Sequence, residues 1–320
     1  MAITREDRIN YLRLSITDRC NLRCIYCLPF GKDRFVPDGG ILGFEEIVEA
    51  VDILSRKGIE FVRLTGGEPL ARDGVEGLIK MLRKNSRLKE ISMTTNGILL
   101  RERLPLLIRN GLGRLNISLN TFKKERYRRL TGADKFEEVL ASIKGTLSIP
   151  AFLLKINTVI LKGINDDEIV DFAAFTLKNR VSLRFIEYLP LNNGESTLQF
   201  VPNPLVKRII EARFGPLIPD ETMGRGPAIN YRIDNAQGQI GFINTRASDI
   251  CQNCNRLRLT AAGRLYPCLF SRSSIDLRRM IRNNIDRKKI GGCIDDLIFK
   301  KRIYSKRREE HEVVMSDMGG

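Results

Sequence analysis

Between Tyr11 and Glu187 the chain alternates short runs rich in β-branched and apolar residues with longer stretches whose apolar residues recur every three to four positions. Strands separated by helices run parallel in one sheet, so this alternation restricts the fold more than any other feature. The strand candidates are YLRLSIT (Tyr11–Thr17), FVRLT (Phe61–Thr65), ISMTT (Ile91–Thr95), RLNISL (Arg114–Leu119), LLKINTVIL (Leu153–Leu161) and VSLRFIEY (Val181–Tyr188). FEEIVEAVDILSRKG, GVEGLIKMLRKN, ILLRERLPLLIRNG, KFEEVLASIKGTLS and DDEIVDFAAFTLKN read as helices, with acidic first turns and Gly58 and Gly111 as stops. Successive βα units predict an α/β fold, a partial, six-unit TIM-like βα barrel, with a doubly wound sheet as the alternative. The glycine-rich and polar segments follow the strands, on the side where such folds build their sites.

After Pro190 the period changes. LPLNNGESTLQFVPNP leads to a helix (Leu205–Phe214), then to short strands, INYRID, QIGFIN, LRLT and RLYPC, and a basic helical tail. The expected division is residues 1–195, the barrel, and 196–320, a C-terminal extension of short strands and helices. The opening MAITREDRIN has no apolar run of a secretory signal, and nowhere do about 18 apolar residues follow one another. The expectation is a cytoplasmic protein without a membrane span. Seven cysteines in a reducing compartment point to metal binding or chemistry rather than disulfides. The net charge is +16, and residues 251–320 carry 16 Lys/Arg against 8 Asp/Glu, which suits a polyanionic partner such as a nucleotide triphosphate or nucleic acid, or simply a solubilising surface.

Six of the cysteines fall in two groups of three. Cys20, Cys24 and Cys27, spaced C-x3-C-x2-C, follow the first strand directly, so their thiolates can converge on zinc or an iron–sulfur cluster. Structural zinc wants four ligands, and the one histidine, His311, is far away in the tail. A cubane held by three thiolates instead leaves one iron open. Cys251, Cys254 and Cys268, spaced C-x2-C-x13-C, form the second group; zinc with Cys293 as fourth ligand is the alternative there. Arg256 and Arg258 alternate on a strand inside this group and face the same way, as an anion clamp or an exposed basic strand. LTGGEP (Leu64–Pro69) ends the second strand with paired glycines that let a ligand approach the backbone, and with Glu68, able to hold an ammonium.

The C-x3-C-x2-C spacing, with Tyr26 before its last cysteine, resembles the signature of the radical S-adenosylmethionine enzymes. The set RLSITDRCNLRCIYC, RLTGGEPL, TTNG, KINTVILKGIND, LRFIEY and CQNCNRLRL with YPCLF, spread over nearly the whole chain, is similar to the GTP 3',8-cyclase family, which performs the first step of molybdenum-cofactor biosynthesis. The resemblance implies two [4Fe–4S] clusters, one on Cys20, Cys24 and Cys27, the other on Cys251, Cys254 and Cys268. It places Tyr26, Gly67, Ser118 and Leu189 around S-adenosylmethionine, with Glu68 near its amino group. Arg13, Arg63, Thr94, Lys155, Arg256, Leu257 and Arg258 match GTP-contacting positions, and the terminal Gly319-Gly320 matches a double-glycine end that reaches the active site.

The implied reaction is that of a carbon–carbon lyase. A 5'-deoxyadenosyl radical takes hydrogen from C3' of the GTP ribose, and C3' joins C8 of guanine to give 3',8-cyclo-7,8-dihydro-GTP. An external electron donor, coupling to cyclic pyranopterin monophosphate synthase and a homodimer go with the family; nucleic acid and membrane do not. Leu189 and Asn120 depart from the Met and Asp common there, and Cys293 has no counterpart. Two other readings compete, a radical enzyme that modifies a peptide and a non-catalytic, basic nucleic-acid-binding metalloprotein. The RLRL pair speaks against the first, GGEP and the strand-end motifs against the second.

Overall fold

A computed structural model describes residues 9–27, 35–37, 39–150, 152–189, 198–220, 226–245, 254–271 and 273–304. The first half follows the expected alternation: β1 (Tyr11–Ser15), α1 (Phe44–Arg56), β2 (Phe61–Thr65), α2 (Val75–Arg83), β3 (Glu90–Thr95), α3 (Leu100–Arg109), β4 (Leu112–Ser118), α4 (Lys124–Thr131), α5 (Phe136–Leu147), β5 (Leu153–Ile160), α6 (Ile169–Lys178) and β6 (Ser182–Glu187). The sequence pattern gives no sign of α4, because KERYRRLT has too few apolar residues to display a period; Tyr127, Leu130 and Thr131 are its buried residues. The second half adds α7 (Asn203–Phe214), β7 (Ile218–Pro219), β8 (Ile229–Arg232), β9 (Gln239–Ile243), β10 (Arg256–Leu259), β11 (Arg264–Tyr266), β12 (Ile275–Asp276), α8 (Leu277–Arg282) and α9 (Arg287–Tyr304).

The twelve strands among the described residues belong to one sheet, in the order β12-β11-β10-β1-β2-β3-β4-β5-β6-β9-β8-β7. Strands β1 to β6 are parallel neighbours in chain order, as six βα units require. The C-terminal strands extend this sheet at both edges: β10 pairs parallel with β1, and β9 parallel with β6.

The two faces of the sheet differ in character. Leu12, Leu14, Val62, Leu64, Met93, Leu115, Ile117, Leu154, Ile156, Leu183 and Phe185 alternate onto one face and are buried in a continuous apolar core. Helices supply the other side of that core through Ile47, Val51 and Leu54 of α1, Leu78 and Leu82 of α2, Val139 and Ile143 of α5 and Phe172 of α6. Each such side chain contributes about 1.5–3 kcal/mol on burial, and this is the main source of stability. The intervening positions, Arg13, Arg63, Ser92, Arg114, Asn116, Lys155, Ser182 and Arg184, share the opposite face by the period of 2, which β4 keeps after a register shift between Leu112 and Arg114. One face therefore specifies the fold and the other is free to carry chemistry.

Candidate functional site

The polar face lines a cavity of about 420 Å³. Cys20, Cys24 and Cys27 reach it from the loop after β1, at the C-terminal ends of the parallel strands. Cys254 precedes β10, which runs parallel to β1, and Cys268 follows the antiparallel β11, so both sit at the edge where the parallel strand β1 begins, and both line the same cavity. Cys20, Cys24 and Cys27 thus occupy one end of the cavity and Cys254 and Cys268 the other, separated by the length of β1, about 16 Å for five residues. Between them stand Arg13, Arg63, Arg184, Arg256 and Arg258.

The first cysteine loop is braced on three sides. Arg23 and Ile25 donate backbone hydrogen bonds to the Thr131 and Leu130 carbonyls at the end of α4, at 2.9 and 3.1 Å. Gly67 and Glu68 donate to the Thr17 and Arg19 carbonyls, both at 2.8 Å. A Cβ on Gly67 would overlap the Arg19 carbonyl, so the second glycine of GGE lets two backbones touch. Tyr26 packs in a small apolar cluster with Leu130, Leu161 and Tyr188, and its hydroxyl is hydrogen-bonded to Cys24 and Asn120. Burial pushes the Cys24 thiol up to about 12, against the Tyr26 hydrogen bond. The Leu22 amide lies 3.4 Å from the Cys20 sulfur, and the Phe270 amide 3.4 Å from that of Cys268. Such N–H donors suit sulfur that carries negative charge.

Glu68 has a different surrounding from the one its motif suggests. It is 1% exposed, and its Oε1 accepts from the Leu70 amide at 3.0 Å and the Thr95 hydroxyl at 2.6 Å, while Oε2 accepts from the Asn96 amide at 2.7 Å. It ties the loop after β2 to the loop after β3 and borders the cavity from there. Asn120 plays a similar bridging part: its Oδ1 accepts from the Val159 amide at 2.8 Å, and its carbonyl accepts from Asn165 at 2.7 Å.

Charge dominates the middle of the cavity. Register pairs Arg258 with Arg13 and Arg13 with Arg63, and Ser92 with both Arg63 and Arg114. Arg114 pairs with Glu90 at 2.5 Å. Burial, then the neighbouring guanidiniums, hold Arg13 and Arg63 below the usual arginine range, and Arg184 is pushed down to about 9 in the same way. Burial pushes Lys155 down to about 6, with Arg184, Arg114 and Arg63 adding to it. At Cys254, burial acts upward, but Lys301 and Arg256 outweigh it and bring the thiol to about 6. Thr94 Oγ1, both side-chain polar atoms of Asn116 and Asn157 Oδ1 are buried at the cavity without a hydrogen-bond partner among the described residues. So many concentrated cations and unmet polar atoms fit a polyanionic ligand with further hydrogen-bonding groups.

Of the residues singled out in the sequence, Arg13, Cys20, Cys24, Tyr26, Cys27, Arg63, Gly67, Glu68, Thr94, Ser118, Leu189, Cys254, Arg256, Arg258 and Cys268 all line this cavity. Lys155 is fully buried just behind it, and Leu257 points into the core, leaving its backbone as what it can offer a ligand. Cys251, Gly319 and Gly320 lie outside the described residues. Sequence reasoning missed Arg184 and Lys301, which also line the cavity. Strand parity carries the signal for Arg184, since it shares the face of Ser182 in β6. Among the described residues no three His, Cys, Asp or Glu side chains converge on a single-ion site. Three thiolates at the first end, with the Leu22 amide on the Cys20 sulfur, are a donor set that an iron–sulfur cluster takes.

Residues 14–176 match the model of the Radical SAM superfamily, and residues 181–307 that of Molybdenum Cofactor Synthesis C. The chain is 40% identical to a GTP 3',8-cyclase of Pelotomaculum thermopropionicum, over 94% of each chain. The chain belongs to the GTP 3',8-cyclase family of the radical SAM superfamily. A relative of that family from Alkaliphilus metalliredigens is 39% identical over 100% of both chains, and one from Petrotoga mobilis 43% identical over 84% of both. Among solved structures, Streptococcus suis SuiB bound to S-adenosylmethionine superposes with a TM-score of 0.62 at 14% identity, over 93% of this chain and 68% of that one, a likeness of fold alone. Membership of the radical SAM superfamily implies a [4Fe–4S] cluster and S-adenosylmethionine. No described helix is long and apolar enough to cross a membrane.

Proposed function

We propose that this chain is a GTP 3',8-cyclase, converting GTP to 3',8-cyclo-7,8-dihydro-GTP in the first step of molybdenum-cofactor biosynthesis. The observation that carries the reading is a cavity with Cys20, Cys24 and Cys27 at one end, Cys254 and Cys268 at the other, and buried and half-buried guanidiniums between them. Cys20, Cys24 and Cys27 would hold the [4Fe–4S] cluster that, with S-adenosylmethionine, supplies the 5'-deoxyadenosyl radical for hydrogen removal from C3' of the ribose. Tyr26, Gly67, Ser118 and Leu189 border the S-adenosylmethionine end, where the GGE backbone gives close approach.

Cys254 and Cys268, with Cys251, form the second cluster site, at the end where guanine binds. Arg13, Arg63, Arg256 and Arg258, with Thr94 and the Leu257 backbone, take the nucleotide, and Lys155 and Arg184 add to the field around its phosphates. The catalytic work of this chain is positional: it sets C3' against the radical, neutralises the triphosphate and keeps water out. Residues 1–195 form the S-adenosylmethionine unit and residues 196–320 the second-cluster and nucleotide unit. An external one-electron donor would supply the reducing equivalent, and the product would pass to cyclic pyranopterin monophosphate synthase. Buried guanidiniums favour a polyphosphate over a peptide substrate.

The test is anaerobic incubation of the reduced, reconstituted protein with S-adenosylmethionine and GTP. Formation of 5'-deoxyadenosine that depends on GTP, together with the cyclised nucleotide, is expected, on protein holding about eight irons per chain. 5'-Deoxyadenosine formation indifferent to GTP would overturn the reading.

A further inference from the structure

Lys301 lies near the end of α9, in a stretch whose sequence gives it no motif and no strand parity. It is nevertheless 8% exposed, a rare state for a lysine. Its Nζ is 3.4 Å from the Cys254 sulfur and donates to the Arg256 carbonyl, at the cavity end where Cys254 and Cys268 meet. The helix that delivers it is fixed. Ile290, Ile294 and Leu297 enter the main core, Lys57 pairs with Asp295 at 2.6 Å, and Arg287 reaches Glu49 and Asp52 of α1 at 3.3 and 3.4 Å. Among the described residues no carboxylate lies within ion-pair distance of Lys301. A buried ammonium needs an anion, and the nearest candidate is the sulfur.

We infer that Lys301 is a positioning residue of the second cysteine group: it holds Cys254 and the start of β10 in place, and its charge favours the reduced state of a cluster bound there. The inference rests on the second-cluster reading proposed above. One-electron reduction adds a negative charge to a cluster, and a fixed cation beside one of its sulfurs stabilises that added charge, raising the reduction potential. The Arg256 carbonyl fixes the direction of the ammonium, so the same contact links the cluster ligand to the first arginine of the RLRL strand.

The experiment uses full-length protein carrying Cys24→Ala and Cys27→Ala, so that iron reports on the second group alone. Iron content and an anaerobic redox titration followed by electron paramagnetic resonance are compared for this parent, for Lys301→Met, which keeps the apolar stem, and for Lys301→Arg, which keeps the charge; circular dichroism checks α9 in each. The expected result is about four irons in the parent, a potential shifted to more negative values in Lys301→Met, and return toward the parent value in Lys301→Arg. A folded Lys301→Met protein with the parent's iron content and potential overturns the inference alone. A parent without iron overturns the second-cluster reading and the inference with it.

Discussion

Arg13 on β1 is paired in register with Arg258 on β10, so residues from the two ends of the chain place their guanidiniums side by side over one cavity. The pairing joins the first strand of the barrel to the strand that lies between Cys254 and Cys268 of the second cysteine group. Nucleotide affinity should therefore depend on both ends of the chain. Arg258→Ala is expected to weaken GTP binding by about 10–100-fold, the loss of one charge-assisted contact worth about 1.5–3 kcal/mol. Slow reductive cleavage of S-adenosylmethionine without GTP should persist in the variant, because the first cysteine group is untouched. Equilibrium dialysis with GTP, beside a 5'-deoxyadenosine assay, checks both; normal GTP affinity would show that the clamp is misassigned.

Lys155 gives the cavity a pH dependence. Its folded value is pushed down to about 6 by burial and then by Arg184, Arg114 and Arg63, from an ordinary value of 10.5. Between these limits the unfolded chain binds the extra proton, so this group makes the empty protein more stable as pH rises from about 6 toward 10.5. A triphosphate among the same cations reverses the field and draws the proton back. GTP binding at pH 8 is expected to take up a proton, read as different apparent heats in titration calorimetry with buffers of unlike ionisation enthalpy. Lys155→Met should bind more weakly and with the uptake removed. Equal heats in all buffers for the parent protein would count against this.

Strand order through β6 was legible because each strand carries its own local period, and the two cysteine groups because spacing is a local property. The edges of the sheet were not. That β10 joins β1 and β9 joins β6 depends on pairings between distant segments, for which RLRL and QIGFIN hold no local sign. Helix α4 stayed hidden since its surface is nearly all charge, with Lys123 and Arg126 held by Asp167 and Glu168 from across the next unit. Glu68 shows a further limit. The motif marks the residue as important, but only the fold shows which donors occupy its oxygens.

Gly67 should be among the least replaceable residues of the first loop. An added Cβ would overlap the Arg19 carbonyl and stand 2.8 Å from that of Asp18, both backbone atoms that cannot move without displacing Cys20. Gly67→Ala is expected to cost about 1–3 kcal/mol in overpacking and to lower iron in the first group while sparing the second. Iron analysis of Gly67→Ala, alone and combined with Cys254→Ala and Cys268→Ala, separates the two groups. Full iron in the combined variant would mean that the loops do not need this approach.

Glu68 distinguishes a ligand contact from a brace between loops. Its two oxygens already accept from Leu70, Thr95 and Asn96, and burial raises its pKa against those hydrogen bonds. Glu68→Ala would leave two backbone amides and a hydroxyl buried without their acceptor. A loss of about 3 kcal/mol is expected, several degrees in melting temperature, with Glu68→Gln falling between because it keeps one acceptor oxygen. If the carboxylate acted only on the ammonium of S-adenosylmethionine, both variants would melt like the parent and lose affinity for that ligand alone. Melting curves with and without S-adenosylmethionine therefore decide between the two roles, and the hydrogen bonds in place predict that the ligand-free curves already differ.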